Sequence, residues 1–147
     1  KALGSGVPVG ACLVNDKVSA AIKENDLGTT FGGGMIAMAA VLATLEAIEE
    51  DEMLSNARKF EMYLRDSLSG VKGINAIRGR GCLIGIEFAE SCGPVHAELL
   101  QKKIITGTSS YPKVLRLLPP LSVTIEEADM LTAHLVNSSA GVGTAVQ

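Results

Sequence analysis

Apolar residues recur along this chain with two different periods, and the period changes near Gly70. Ahead of that glycine the spacing is helical. Met35, Met38, Leu42 and Leu45 fall at i, i+3, i+7 and i+10, and Val41 and Ile48 widen the stripe. Alanines at 37, 39, 40, 43 and 47 raise helix propensity and permit close packing. The acidic group Glu49-Glu50-Asp51-Glu52 marks a bend, and Asp51 and Glu52 are expected to open a second helix, where carboxylates favour the dipole. That helix carries Leu54, Ala57, Phe60, Leu64 and Leu68 on one face, with Gly70 as its C-terminal cap.

Beyond Gly70 the pattern turns β-like. Ile74–Arg78 and Cys82–Phe88 flank Gly79-Arg80-Gly81, and Ile84, Ile86 and Phe88 alternate with Gly85 and Glu87. Pro94 suits a helix start, with Val95, Leu99 and Leu100 carrying the helix to about Lys103. Ile104–Thr106 and Val114–Leu118 read as strands, the second stopped by Pro119-Pro120. Thr124 with Glu127 three residues on is a capping box, predicting a helix to about Val136. The small, uncharged residues 138–147 read as a frayed tail. At the other end, residues 2–14 are small and apolar, broken by Gly4, Gly6, Pro8 and Gly10. A short buried strand is expected around Val9–Val14, a turn at Asn15-Asp16 and a helical stretch over Val18–Glu24. The order is a Gly-rich piece, two helices, then β-β-α-β-β-α, with helices over a small sheet in the second half.

Composition narrows the function classes. The 147 residues, 47% of them hydrophobic, suffice for one ordinary core or for one domain with a piece of another. A net charge of −3, with no basic run longer than Lys102-Lys103, argues against a nucleic-acid binder. No uncharged apolar stretch reaches the roughly 18 residues of a membrane-spanning helix. The opening KALGSGVPVG has no long apolar core after its charge, unlike a signal peptide. Cys12, Cys82 and Cys92 are odd in number and widely spaced, and read as reduced thiols of a cytosolic protein. His96 and His134 stand in no metal-ligand pattern, so no metal site is expected.

Three features could carry chemistry. Lys1 precedes Ala2-Leu3-Gly4-Ser5-Gly6 and Pro8; a lysine acting covalently needs a nearby carbonyl and a lowered pKa, while a lysine before glycines is by itself a weak pattern. Gly28-Thr29-Thr30-Phe31-Gly32-Gly33-Gly34 lies just ahead of the strongest helix. It reads either as an anion cradle of glycines, hydroxyls and free N–H groups, or as a plain lead-in to the helix; it is not a Walker loop. Arg116 sits among apolar residues of a strand. It either holds a substrate carboxylate in its guanidinium fork or pairs with a carboxylate such as Glu87.

Together these segments resemble the class III aminotransferases of the acetylornithine and ornithine type. Residues 1–11 are similar to the segment around that family's cofactor lysine. Gly28–Gly33 is similar to its phosphate-contacting loop, Ile77–Glu87 to its small-domain hairpin, and Val114–Leu121 with Thr124, Glu126 and Glu127 to its last strand and helix. The family's Asn-Pro after the Gly-Gly of the threonine loop is replaced by Gly34-Met35.

The resemblance covers residues 1 to about 136 and implies an α/β fold-type I enzyme dependent on pyridoxal 5′-phosphate. The chain is expected to comprise a remnant of the large domain (1–34), a connecting helix (35–50), an α+β C-terminal small domain (51–137) and a flexible tail (138–147). The resemblance makes Lys1 the Schiff-base lysine and proton shuttle. It makes Thr30, with Thr29 beside it, the donor to the cofactor phosphate, across the interface of a homodimer. It makes Arg116 the holder of the α-carboxylate of the amino-acid or 2-oxo-acid substrate. The implied reaction moves an amino group from an ω-amino donor to 2-oxoglutarate in the cytoplasm. Other class III activities, on 4-aminobutyrate or other ω-amino acids or as a semialdehyde aminomutase, are the alternatives within the family; a non-catalytic, self-associating module is the alternative outside it. In the family the aspartate facing the pyridine nitrogen and the ring-stacking residues precede the lysine. A polypeptide beginning at Lys1 is therefore expected to be a C-terminal piece, inactive by itself.

Overall fold

Where the acidic run Glu49–Glu52 stands, the first long helix stops, and Glu52 takes the left-handed region (φ 49°). The computed structural model describes residues 2–141, with side chains through residue 137. It divides at this bend into two units, Lys1–Glu52 and Met53–Gln147.

In the first unit, the expected strand around Val9–Val14 does not form. These residues run without regular structure and largely exposed, for the described residues of this unit include no other strand to pair with. The helix expected over Val18–Glu24 is a single turn, α1 (Asp16–Ser19), in which the Asn15 side chain accepts the Val18 N–H at 3.0 Å. The strong helix is α2 (Met35–Glu50), but its face is not the one the large side chains suggest. Met35, Met38, Leu42 and Leu45 are exposed at 88%, 43%, 58% and 47%. The half-buried positions are Ala37, Ala40, Val41, Thr44, Ala47 and Ile48, on the opposite side of the helix. Small residues there allow close approach: Thr44 Oγ1 donates to the Ala40 carbonyl at 2.7 Å and lies 3.1 Å from Ser5 Oγ of the N-terminal turn.

The second unit opens with α3 (Met53–Ser67), beginning one residue after the expected carboxylates, so Asp51 and Glu52 do not sit in its first turn. Ala57, Phe60, Leu64 and Leu68 are buried, whereas Leu54 is 60% exposed and leaves the predicted face. Gly70 follows in the left-handed region at φ 72°. Strands β1 (Ile74–Arg80) and β2 (Leu83–Phe88) form the hairpin. Helix α4 (Gly93–Gln101) follows, with Pro94 in its first turn, and then β3 (Gly107–Thr108), β4 (Val114–Leu117) and α5 (Ile125–Gly141). Helix α4 stops short of Lys103, which takes φ 63°. The strand expected at 104–106 is displaced to Gly107–Thr108, where pairing with β4 becomes available. Helix α5 continues past Val136 through residues 138–141; residues 142–147 lie outside the described residues.

All strand pairs are antiparallel, in the order β1-β2-β4-β3. One face carries Ile84, Ile86, Leu115 and Leu117, all buried. With Phe60, Leu64 and Leu68 on the α3 side and Ala128, Leu131 and Leu135 of α5, they make one core. Each such Leu or Ile contributes about 1.5–3 kcal/mol by leaving water. Polar bonds fix the layers. Asn56 Nδ2 donates to the carbonyls of Leu121 (2.7 Å) and Val123 (2.8 Å), which holds the segment after β4 on α3. Tyr63 donates to Asp129 at 2.7 Å, joining α3 to α5. The capping box forms as expected: Thr124 N–H donates to Glu127 Oε2 at 2.9 Å, and Glu127 N–H to Thr124 Oγ1 at 3.2 Å.

The hairpin turn is held to α3 by a clamp. Glu61 Oε2 accepts the Gly81 N–H at 2.7 Å, and Oε1 accepts Arg65 Nε at 3.0 Å. Arg65 in turn donates to the carbonyls of Ile77 (2.7 Å) and Gly79 (2.9 Å). The Gly81 bond is the main cause that holds the Glu61 carboxyl below the usual glutamate range; burial opposes it, and the Arg65 guanidinium assists it.

Candidate functional site

The loop Gly28–Gly34 is folded so that its glycines serve the threonines. Gly32 N–H bonds back to the Thr29 carbonyl at 3.4 Å, and a Cβ at Gly32 would overlap the Thr29 methyl group. Gly33 takes φ 68°, a conformation glycine adopts at little cost. The turn delivers the chain to Gly34, the N-cap of α2, which offers no side-chain cap. The first helical bond runs from Met38 N–H to the Gly34 carbonyl at 3.0 Å. The N–H groups of Met35, Ile36 and Ala37 therefore point out of the helix without a partner among the described residues. Thr29 and Thr30 are exposed beside this end. Exposed hydroxyls, N–H groups and the positive end of a helix dipole are the kinds of group from which a phosphate monoester accepts hydrogen bonds.

Lys1 lies outside the described residues. Behind it the chain makes two tight turns, with Ser5 N–H on the Ala2 carbonyl (3.0 Å) and Val7 N–H on the Gly4 carbonyl (2.9 Å). Gly4 is buried at their centre: a Cβ there would come within 2.8 Å of the Val7 carbonyl oxygen. The glycines of this segment thus have a packing role whatever Lys1 does.

Arg116 belongs to the second unit. It sits in β4 on the sheet face opposite the core, between buried Leu115 and Leu117, and is itself exposed. Glu87, its candidate structural partner, is taken instead by Arg78 of the neighbouring strand, at 2.7 Å and 2.8 Å. No carboxylate among the described residues pairs with Arg116. Arg116 is among the residues lining a groove of about 620 Å³, together with Ile104, Ile105, Leu118, Pro119 and Met130, the charged Lys103 and Glu127, and core residues such as Phe60, Leu117 and Leu131. The structure thus places Thr29 and Thr30 together in one unit and Arg116 in the other.

The cysteines and histidines stand apart from these segments. Cys82 and Cys92 are buried, which pushes their thiols up and keeps them neutral, while Cys12 is exposed. His96 Nδ1 lies 2.8 Å from Thr106 Oγ1, and His134 lies 3.3 Å from Glu98. Among the described residues no group of His, Cys, Asp and Glu could hold a metal ion, and no helix is long and apolar enough to cross a membrane.

The sequence and the fold recur in known proteins. The family model for aminotransferase class-III matches residues 1–138. The chain belongs to the class III aminotransferases. This family depends on pyridoxal phosphate, and the architecture is that of its fold-type I α/β members. Acetylornithine aminotransferase 1 of Bordetella bronchiseptica is 39% identical over 140 residues, covering 92% of this chain and 35% of that protein. The chain thus spans about a third of the length of the curated class III relatives it matches. Ornithine aminotransferase of Toxoplasma gondii, described with partial occupancy of PLP at its active site, superposes with TM-score 0.72 at 28% identity, over 86% of this chain and 32% of that one. Acetylornithine aminotransferase of Elizabethkingia anophelis shares the fold at TM-score 0.76 and 22% identity, over 88% and 34%.

The sequence pattern singles out the loop and the arginine but gives no sign of the groove walls or of Gly107, which pairs with Arg116 across the sheet. Only strand register reveals that neighbour, and register is set by pairing rather than by local pattern.

Proposed function

We propose that this class III chain serves amino-group transfer from an ω-amino donor of the acetylornithine or ornithine type to 2-oxoglutarate. The observation that carries the reading is Arg116: a guanidinium on an open sheet face, with no carboxylate of the described residues on it, at an apolar groove. Such a fork takes a carboxylate bidentately while the aliphatic part of an amino acid lies along apolar walls. The donor class is supported by the names of the relatives. Those at 34–39% identity are acetylornithine aminotransferases, and several solved structures at 28–30% are ornithine aminotransferases.

Each residue then has a task. Thr30, with Thr29, donates hydrogen bonds to the cofactor phosphate, and the free N–H groups of α2 complete that seat; in a homodimer Thr30 reaches the other subunit's site. Arg116 orients the substrate by its α-carboxylate. Lys1 supplies the amine that takes and returns the proton at the substrate Cα. Pyridoxal phosphate, when bound, supplies the electron sink that makes this proton removable. The reading places the protein in cytoplasmic amino-acid metabolism.

A chimera tests it: residues 1–138 replace the matching segment of the Bordetella bronchiseptica enzyme, and transfer from N-acetylornithine and ornithine to 2-oxoglutarate is measured. Activity is expected, abolished by Lys1→Ala. Arg116→Gln should raise KM by roughly 10- to 100-fold, the worth of a charge-assisted pair of bonds. Residues 1–147 alone, spanning a third of such an enzyme, are the inactive control. A folded, cofactor-loaded chimera that uses neither donor would refute the donor class; an unchanged KM in Arg116→Gln would return Arg116 to a surface role.

A further inference from the structure

The face of the sheet that carries Arg116 is kept bare on both sides of it. Arg116 lies directly opposite Gly85 of β2 and Gly107 of β3. Residues so paired project from the same face about 5 Å apart, so each glycine removes a side chain that would otherwise stand beside the arginine. The two glycines are not equivalent. A Cβ at Gly85 would meet only Val114 Cγ1, at 3.1 Å, and no atom of Arg116 within 4 Å. A Cβ at Gly107 would lie 3.4 Å from Arg116 Nε and 3.6 Å from Nη2. The guanidinium therefore leans toward β3, and the edge it turns to Gly107 is the Nε–Nη2 edge, one of those that grip a carboxylate in the two-bond mode.

The backbone touches this position at one point only: a Cβ at Gly107 would also lie 3.4 Å from the Arg116 carbonyl oxygen, at the edge of ordinary contact. The φ of Gly107 lies outside the left-handed region. Within a strand glycine is entropically unfavourable and commonly marks a close approach of another group. What the residue provides is room.

We propose that Gly107 is a positioning residue for substrate carboxylate recognition: its bare Cα lets the Arg116 fork lie toward β3 and keeps the Nε–Nη2 edge open. This rests on the reading of Arg116 as the carboxylate holder. An alanine at 107 just touches the guanidinium; a β-branched side chain occupies the space at that edge and turns the fork away.

The test uses the chimera described above carrying Gly107→Ala, Gly107→Val and, separately, Arg116→Gln. Each is assayed with ornithine and with 1,4-diaminobutane, which is ornithine without its carboxylate. Gly107→Val is expected to raise KM for ornithine by about tenfold or more with kcat within about threefold, and Gly107→Ala by about threefold. Neither should change kcat/KM for the diamine. Valine suits a strand, so thermal unfolding should stay near that of the parent; should Gly107→Val not fold, the alanine variant alone carries the graded, carboxylate-selective effect. Equal losses on both substrates, or no loss on either, overturn the proposal when Arg116→Gln still loses ornithine selectively. If Arg116→Gln also fails to distinguish the two substrates, the reading of Arg116 falls and the proposal with it.

Discussion

Replacing Glu61 by glutamine probes the clamp that fastens the β1–β2 hairpin to α3. The carboxylate accepts the Gly81 N–H at 2.7 Å and Arg65 Nε at 3.0 Å, and Arg65 holds two hairpin carbonyls in turn. Glutamine keeps the shape but must turn an NH₂ group toward either the Gly81 N–H or the guanidinium, a donor against a donor. A hydrogen bond to a charged group is worth about 1.5–3 kcal/mol, and the partly exposed ion pair adds no more than about 1 kcal/mol. The expected loss at pH 7 is therefore about 2–3 kcal/mol, read from urea unfolding followed by far-UV circular dichroism. The pH dependence separates charge from shape. The Glu61 carboxyl titrates below its ordinary value in the folded state. Its stabilisation is thus fully present above the unfolded pKa and is lost as pH falls through the folded one. The gap between parent and Glu61→Gln should stay constant from about pH 8 to 6 and shrink from about pH 5 to 3. A gap that persists at low pH, or one below about 0.5 kcal/mol at neutrality, refutes the clamp as an electrostatic device.

Two further predictions concern the same unit. Gly79 takes φ 110°, and a Cβ there would overlap the Leu83 carbonyl oxygen, so Gly79→Ala should cost about 3 kcal/mol; Gly70→Ala, at φ 72° in open space, should cost only about 1 kcal/mol in the same denaturation assay. Asn56→Ala removes both bonds to the segment after β4 and should lower stability by about 2 kcal/mol. Asn56→Asp, which sets a carboxylate against the Leu121 and Val123 carbonyls, should be at least as damaging at neutral pH and recover on acidification.

The second unit was largely legible because its signals are local and consistent. The alternation at Ile84 and Ile86, the stop at Pro119-Pro120 and the Thr124–Glu127 box each specify one conformation, and the structure adopts all of them. The errors fall where a choice depends on distant partners. Leu54 fits the helical stripe of α3 yet lies at its exposed first turn. On α2 the large apolar side chains suggest one buried face, but the half-buried face is the one with alanines and Thr44, which reaches Ser5. The strand near Ile104 formed three residues later, since β3 exists only where β4 offers a partner. Gly85 reads locally as one position of an alternating strand and Gly107 carries no local signal; their relation to Arg116 appears only once register is known.

The Gly-rich loop shows how a bland reading and a chemical one can both hold at different atoms. Packing accounts for its glycines: Gly32 makes room for the Thr29 methyl, and Gly33 takes a left-handed turn. A lead-in to α2 needs nothing more. Packing does not account for a helix that begins on Gly34 without a capping side chain, nor for three N–H groups that no described residue satisfies, a few residues after two exposed threonines. A serine or aspartate at position 34 would cap α2 and stabilise it by about 1 kcal/mol. That stabilisation is forgone at the end of the helix where an anion gains most from the dipole. The unmet donors, rather than the glycines, are what support reading the loop as a phosphate seat.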